Sequence, residues 1–543
     1  MDDPAKKAIS PGLIAAAIGF VVFCFFSPTI GYDFLHSDDD VNVFENEHIR
    51  SLNWESLRWM FTDFQQAIRF KPLSWLGWAV IYQFSGLNPL GYHLANVILH
   101  ALNGALLFLV LLTMSNGERS RGMLVAGLIA LLWSLHPLRV EPVAWVTGFP
   151  YHLTTVFLLL SVMAYQRVNA EASAFRQQMF WLSVGLYVLA IATYPIALGF
   201  VCVLLALDAI RLQGKAMEVS AETKRLVVEK IPYVVVAVGV AGLTVMSRYQ
   251  VDSAWGSAST AAEYDYVRHA MQACYVWTYY LWKPLFVFHQ TAIPMDLIEN
   301  ETLSPPFLLS LVVVLAVSGL ALKSVRTRIG VIAFWTAHAG LLVPLLGLTE
   351  DYHFPSDRYA TLPSLVMAAA VFLLMFKAVD SKRVKVLGAI ALAVFAGQSI
   401  RYLPVWEDDV TYFGYLSLRL EQNIMRPAIR ERLGDAHVRR EDPSDAIAAY
   451  AGAIEGASPY SSSETYYKLA VLLESVGRYQ DAEAVLIEGM PRLPRHPGAM
   501  FVMAKILAAQ GKPDLAKQML QVVLMLEPDF PEALELQRKW SDE

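Results

Sequence analysis

From residue 9 to about residue 403 the chain keeps returning to runs of about 20 apolar residues, the length a helix needs to cross a bilayer core. Lipid offers backbone groups no partner, so a run that enters it must close its own hydrogen bonds as a helix. Eleven runs qualify: 9–30, 91–114, 122–137, 143–166, 178–194, 195–210, 230–247, 304–322, 329–349, 359–377 and 384–403. The stretch 266–290 is apolar too. It carries Arg268, His269, Lys283, Pro284 and His289, so a span, a re-entrant loop and an interfacial segment all stay open, for about 11–12 spans. Lys6 and Lys7 flank the first run, which lacks a small-residue cleavage site and outlasts a signal peptide's apolar region. It reads as a retained span. Composition agrees: 55% of residues are hydrophobic and 17% charged, against about 25% charged in an average soluble domain. Disorder and a coiled coil are excluded. Net charge is −6 with no basic tract, so a nucleic-acid partner is excluded as well. Cys24, Cys202 and Cys274 all lie in apolar stretches and read as small hydrophobes, not as a disulfide or metal framework.

Loop charges set the orientation. Lys/Arg-rich segments at 119–121, 167–176, 211–230, 323–328 and 377–385 alternate with loops 31–90, 137–142, 248–303 and 350–358, which hold acids, aromatics and histidines. The first set is expected inside and the second outside. With the N-terminus inside and eleven crossings, the C-terminal region falls outside.

After residue 403 the chain becomes charged and helical. A segment 404–429 reads as a linker or helix, and 430–543 as a repeat domain. Ala470 and Ala504, Gly477 and Gly511, Ala482 and Ala516, and Pro494 and Pro528 are each 34 residues apart. Small Ala residues let paired helices approach, Gly ends the first helix and Pro the second. A less regular copy holds Gly434, Ala446, Tyr450 and Ala453, with Ala446 lying 36 residues before Ala482. Three copies and a capping helix at 531–540 suit a stack of the tetratricopeptide type, whose groove takes a peptide or protein.

The polar residues that remain crowd into the outer loops. Asp38, Asp39 and Asp40 stand together just past the first span, where adjacent carboxylates repel and one pKa is raised unless a cation compensates. Lys71 reads equally as a phosphate contact and as a snorkelling cation. His136, Arg139 and Glu141 are pinned in a short turn between two spans, an expensive place for polar groups unless they face a cavity or each other. His152 follows on the next helix, and His93 lies at the head of the second span. His353, Asp357, Arg358 and Tyr359 open the tenth span, where an arginine beside an acid and a tyrosine suits an anchored phosphate receptor or a capped helix start. Lys283, beside Tyr279, Tyr280 and Trp282, reads as an interfacial cation first and a lipid-phosphate contact second. Asn300-Glu301-Thr302 matches a glycosylation sequon weakly. Walker, dinucleotide, zinc-protease and nucleophile-elbow motifs are absent, which argues against nucleotide-driven chemistry.

In four blocks the chain resembles the transmembrane and tetratricopeptide repeat-containing O-mannosyltransferases, members of the GT-C glycosyltransferases. The blocks are Asp38-Asp39-Asp40 through Asn46; Pro72-Leu73-Ser74-Trp75, then 86–96 and 99–103; His136 through Val146; and Asp357-Arg358-Tyr359 with Leu362-Pro363, followed by the repeats. Departures fall at Lys71 and Arg139, where such proteins usually carry His, at 148–152 and in the aromatic–Lys segment before 290. The resemblance implies an all-α polytopic bundle in the inner membrane of a bacterium, with 1–403 catalytic. It implies inverting transfer of a sugar from a polyprenyl-phosphate donor to a hydroxyl of a protein presented by the repeats. Asp38 or Asp39 would accept the hydroxyl proton, with Asp40 beside them and Glu141 orienting the acceptor. Arg358 would lead the phosphate contacts, followed by Arg139, Lys71, Lys283 and Tyr359. His136, His152, His353, Asp357 and His93 would complete the cavity. Mg²⁺ or Mn²⁺ on Asp39 and Glu141 is left open. A lipid-linked glycan ligase or polymerase, and a membrane-anchored scaffold without catalysis, are the competing expectations. A transporter fits less well, because the polar residues avoid mid-span positions.

Overall fold

The computed structural model describes residues 10–63, 70–115, 118–168, 173–212, 219–250, 265–286, 303–323, 329–347, 355–379, 381–420, 423, 425–455 and 462–542. Their regular structure is all helical, with no strand among them, and they fall into two units, 1–408 and 409–543.

The first unit holds α1 (Pro11–Phe26), α2 (Trp54–Thr62), α3 (Pro72–Ser85), α4 (Pro89–Thr113), α5 (Arg119–Ser134), α6 (Val140–Ala144), α7 (Phe149–Gln166) and α8 (Gln178–Thr193). It continues with α9 (Phe200–Leu212), α10 (Val219–Val228), α11 (Ile231–Gln250), α12 (Tyr266–Trp282), α13 (Pro305–Lys323), α14 (Ile329–Leu342), α15 (Pro363–Ala378) and α16 (Lys382–Tyr402). Many start on proline, whose missing N–H is one the first turn leaves unpaired anyway. Ser10, Asn53 and Asn88 cap α1, α2 and α4 with side-chain oxygens.

Every predicted span contains a helix, but six stretches are long and apolar enough to cross alone: Pro11–Gly31, Pro89–Thr113, Val146–Gln166, Lys224–Met246, Pro305–Lys323 and Lys382–Trp406. A seventh, Arg119–Ser134 with Pro137–Ala144, is bent by 60°. The remaining predicted spans are shorter because proline cuts them at Pro195, Pro344 and Pro363. A 16-residue helix is about 24 Å long, short of a hydrocarbon core of about 30 Å. The stretch 266–290 contributes α12, which is not among the six. In the most apolar 18 residues of the α4 and α7 stretches 61% and 78% are buried, while α1, α11, α13 and α16 expose apolar residues such as Phe20, Val235, Leu309 and Leu387. That makes α4 and α7 the centre of a multi-pass membrane bundle whose rim faces lipid.

A half-open cavity of about 130 Å³ lies between α4, α7, α9, α14 and α15, lined by residues such as Leu107, Leu158, Val203, Phe334 and Leu362, with no polar residue among its lining. At the Lys/Arg-rich end of the unit, Lys230 donates to Asp208 (2.6 Å) and to the Tyr165 hydroxyl (2.7 Å), tying α7, α9 and the start of α11.

The second unit holds α17 (Asp409–Arg419), α18 (Arg426–Arg439), α19 (Pro443–Ile454), α20 (Glu464–Ser475), α21 (Tyr479–Gly489), α22 (Pro497–Ala509), α23 (Pro513–Leu526) and α24 (Pro531–Asp542). The paired alanines at 470, 482, 504 and 516 are fully buried. Gly477 and Gly511 adopt φ of +78° and +73°, the left-handed close of a helix that glycine reaches without penalty. Glu441, 36 residues before Gly477, takes the same position in the first copy with φ +57°. That copy was irregular in sequence because an ordinary residue fills its glycine place.

Candidate functional site

Breaking a span frees carbonyls that lipid cannot satisfy, and side chains of neighbouring helices take them up. Near the bend between α5 and α7, His100 of α4 meets the Ser134 carbonyl (2.9 Å), Ser399 donates to Leu135 O (2.8 Å) and His152 meets Pro142 O (2.9 Å). Asn96 of α4 donates to Trp145 O (2.8 Å), and Asn103 to His152 O (3.0 Å). His136 accepts the Leu138 N–H on Nδ1, so its Nε2 carries the proton that reaches Pro284 O (2.9 Å). Segment 135–148 is thereby held rigid and buried, and the first outer loop is tied onto it. Trp145 donates from Nε1 to Ser37 O (2.9 Å).

The three adjacent aspartates separate sharply. Asp39 is fully buried, and its oxygens accept the Leu35 N–H (3.0 Å), the Thr147 N–H (2.9 Å) and the Thr147 hydroxyl (2.6 Å). Asp40 is half-buried and accepts the N–H of Val41. Asp38 is exposed, sits at φ +73°, and its carboxyl has no hydrogen bond among the described residues. A positive φ on a residue other than glycine is strained and is kept where the surroundings enforce it.

On the other side of α6, Glu141 is fully buried. It accepts the Ser356 hydroxyl, Nη1 of Arg358 (2.6 Å) and the Arg358 N–H (3.2 Å). Arg358 also donates to Ser356 Oγ (2.8 Å), and its guanidinium lies 4.7 Å from the Trp145 ring and 4.9 Å from that of Tyr359. Its side chain keeps 18% exposure, so it is neutralised on one side and open on the other. The Tyr280 hydroxyl bonds both N–H and C=O of Ser356, which docks α12 on this loop and brings up buried Lys283. Arg139 is buried over Trp133 (5.1 Å), with Nε and Nη1 unpartnered among the described residues. Asp357 is fully buried with neither oxygen partnered among the described residues. Burial pushes its carboxyl up to about 7, against the pull of Lys283 and Arg139.

The structure thus gathers Asp38, Asp39, Arg139, Glu141, Lys283, Asp357, Arg358 and Tyr359, with His136 at the edge. Lys71 belongs to a neighbouring pocket: its Nζ donates to Asn42 (2.6 Å). His93 lies beside Tyr32 with Nε2 3.3 Å from Asp33 O, and His152 is engaged with Pro142 beneath the site. His353 and the 300–302 sequon fall outside the described residues. The residues that sequence reasoning missed are the supports: Asn96, His100, Trp145, Thr147, Tyr280 and Ser356. A signal existed for two of them, since His93, Asn96, His100 and Asn103 recur at helical spacing on an apolar span.

Asp39 and Glu141 do not suit a divalent cation, because N–H, hydroxyl and guanidinium donors already occupy their oxygens. The one group of described side chains close enough to share an ion is His437, Asp442 and Asp445, in the second unit, where Asp442 caps α19.

Burial pushes the Asp39 carboxyl up to about 8, against three hydrogen bonds that pull it down. An unfolded aspartate releases its proton near 4. The contribution of the neutral folded form is therefore complete below about pH 4 and declines as pH rises to about 8. Asp39→Asn, neutral at every pH, is expected to flatten that slope in thermal midpoints measured from pH 5 to 9. Equal slopes in both proteins would mean that Asp39 is ionised throughout.

A family model described as tetratricopeptide repeat matches residues 475–539. The chain is 28% identical over 164 residues to Protein O-mannosyl-transferase tmtc2 of Xenopus laevis, covering 28% of this chain and 18% of that protein. It is 37% identical over 98 residues to Protein O-mannosyl-transferase Tmtc1 of Drosophila melanogaster (18% and 11%). It is 26% identical over 211 residues to Protein O-mannosyl-transferase TMTC4 of Mus musculus (35% and 28%). The matches span little more than a quarter of these relatives' length at most. The chain is related to this family of protein O-mannosyl-transferases.

Proposed function

We propose that the protein is a GT-C-type membrane glycosyltransferase, transferring a sugar from a polyprenyl-phosphate donor to a hydroxyl of a protein acceptor with inversion. The observation that carries the reading is one cluster in which Asp38, whose carboxyl has no hydrogen bond among the described residues, acts on the charge of Arg358, a cation still open on one side. The acceptor oxygen forms its bond to the anomeric carbon as the bond from that carbon to the phosphate oxygen breaks. Asp38 takes the hydroxyl proton and, being exposed, returns it to water. Arg358, Arg139 and Lys283 stabilise the departing phosphate in a largely dry site. Glu141 fixes Arg358 and Asp39 fixes the loop, while Asp357 meets sugar hydroxyls with its two oxygens. The apolar cavity below Leu362 suits a hydrocarbon chain. The site faces the outer side of a bacterial inner membrane, where the repeats present the acceptor.

The test is transfer by the purified protein in lipid nanodiscs. Polyprenyl-phosphate mannose and serine- or threonine-bearing peptides are supplied, and the peptides are read by mass spectrometry. One added hexose is expected. A ladder of sugars would replace the reading with a polymerase. No transfer to any hydroxyl acceptor, with Arg358→Ala indistinguishable from wild type in cells, would replace it with a scaffold.

A further inference from the structure

The turn that presents Asp38 is held from behind. The Asp38 carbonyl accepts two hydrogen bonds from one residue: the Asn42 N–H (3.0 Å) and the Asn42 side-chain amide (2.7 Å). Asn42 is buried, and its amide oxygen accepts Nζ of Lys71 at 2.6 Å. Lys71 is itself only 6% exposed, and its ammonium lies 4.2 Å from the Trp75 ring and 5.0 Å from that of Trp78. Both indoles are buried in the first turns of α3, where Trp78 packs on Phe149 at the head of α7. The chain of contacts runs from a rigid aromatic base through Lys71 and Asn42 to the backbone of the one strained residue in the aspartate run.

Two features separate this arrangement from a phosphate contact. The Lys71 ammonium is engaged by an amide oxygen and two ring faces among the described residues. Every polar atom of the Asn42 side chain is used, the oxygen by Lys71 and the nitrogen by Asp38. A residue at φ +73° without such a clamp would relax toward negative φ, and its side chain would swing away from Arg358.

We propose that Lys71 is a positioning residue that acts through Asn42 to hold the left-handed turn presenting the Asp38 carboxylate. This rests on the reading of Asp38 as the proton acceptor. Its distinctive variant is Asn42→Asp. A carboxylate there keeps and strengthens the pair with Lys71, so the fold survives, but it cannot donate to the Asp38 carbonyl. Donor-dependent transfer should fall roughly 10- to 100-fold in kcat with donor KM within about twofold, the size of effect produced by misplacing a reacting group by about an ångström. Lys71→Met should lower kcat in the same way, and Lys71→Arg should restore most of it. Combining Lys71→Met with the neutral Asn42→Leu, which leaves no buried charge unpaired, should cost little more than either of those changes alone, because both act through one link.

A rise in donor KM with unchanged kcat for Lys71→Met would assign Lys71 to the phosphate and overturn the proposal. So would additive losses in the double variant, or full activity of Asn42→Asp. Full activity of Asp38→Asn would instead remove the underlying base assignment, whatever Lys71 does.

Discussion

Asp38→Asn is expected to lower sugar transfer by roughly 10²–10⁴-fold, the usual contribution of a positioned general base, while the protein still folds and inserts. Folding is spared because the Asp38 carboxyl supports no hydrogen bond among the described residues. Glu141→Gln should also abolish most transfer. It keeps an acceptor for Ser356 but removes the charge that fixes Arg358 at 2.6 Å. Arg358→Ala differs in kind, since it leaves the fully buried Glu141 charge without its partner, at a cost of about 3–5 kcal/mol. Loss of activity there must be read beside loss of stability. Transfer rate and thermal midpoint in detergent, measured on all three, separate the two effects. Full transfer by Asp38→Asn, Asp39→Asn and Glu141→Gln together would end the assignment of this cluster as the reaction centre.

Gly148→Ala is expected to prevent normal folding of the membrane unit, with a penalty of at least about 3 kcal/mol. A Cβ at Gly148 would lie 1.8 Å from the carbonyl oxygen of Pro142. That oxygen is not free to retreat, because His152 holds it at 2.9 Å and its residue is a proline inside the broken segment. Gly185→Ala on α8 is the control: its Cβ would meet nothing within 4 Å, and alanine is the better helix former. The readouts are the yield of monodisperse protein in detergent and its thermal midpoint. Normal values for Gly148→Ala would mean that segment 135–148 is far looser than its hydrogen bonds imply.

The apolar runs were legible as helices because each must bury its backbone, but their lengths were not. Pro344 and Pro363 interrupt the runs 329–349 and 359–377, and Pro195, already a boundary in the sequence, turns the first residues of 195–210 into a 3-10 turn. The repeat period placed Gly477 and Gly511 correctly and hid Glu441, since a left-handed turn leaves no mark when a non-glycine residue fills it. In the site, residue type located the cluster but not the bonds within it. Asp38, Asp39 and Asp40 are identical in sequence, and only the tertiary position of Thr147 decides which one is buried. Lys71 and Arg358 are likewise equivalent as charges. Each lies against two rings, but Arg358 meets a carboxylate and Lys71 an amide oxygen, a difference set by α3 and α6 and not by neighbours in the chain.

The two units also differ in how far apart in the chain their partners lie. Asp39 and Thr147 are 108 residues apart, Glu141 and Arg358 are 217, and Ser399 and Leu135 are 264. Nearly the whole unit must therefore be synthesised before its central bonds can close. An insertion anywhere between those partners must preserve all of them at once. In the repeats, each copy leans on the next, and every added copy brings its own alanine contact and terminating proline. Duplication can lengthen that stack by 34 residues without disturbing what is already built. Within one gene, the membrane unit is constrained to keep its architecture while the repeat unit is free to change its reach.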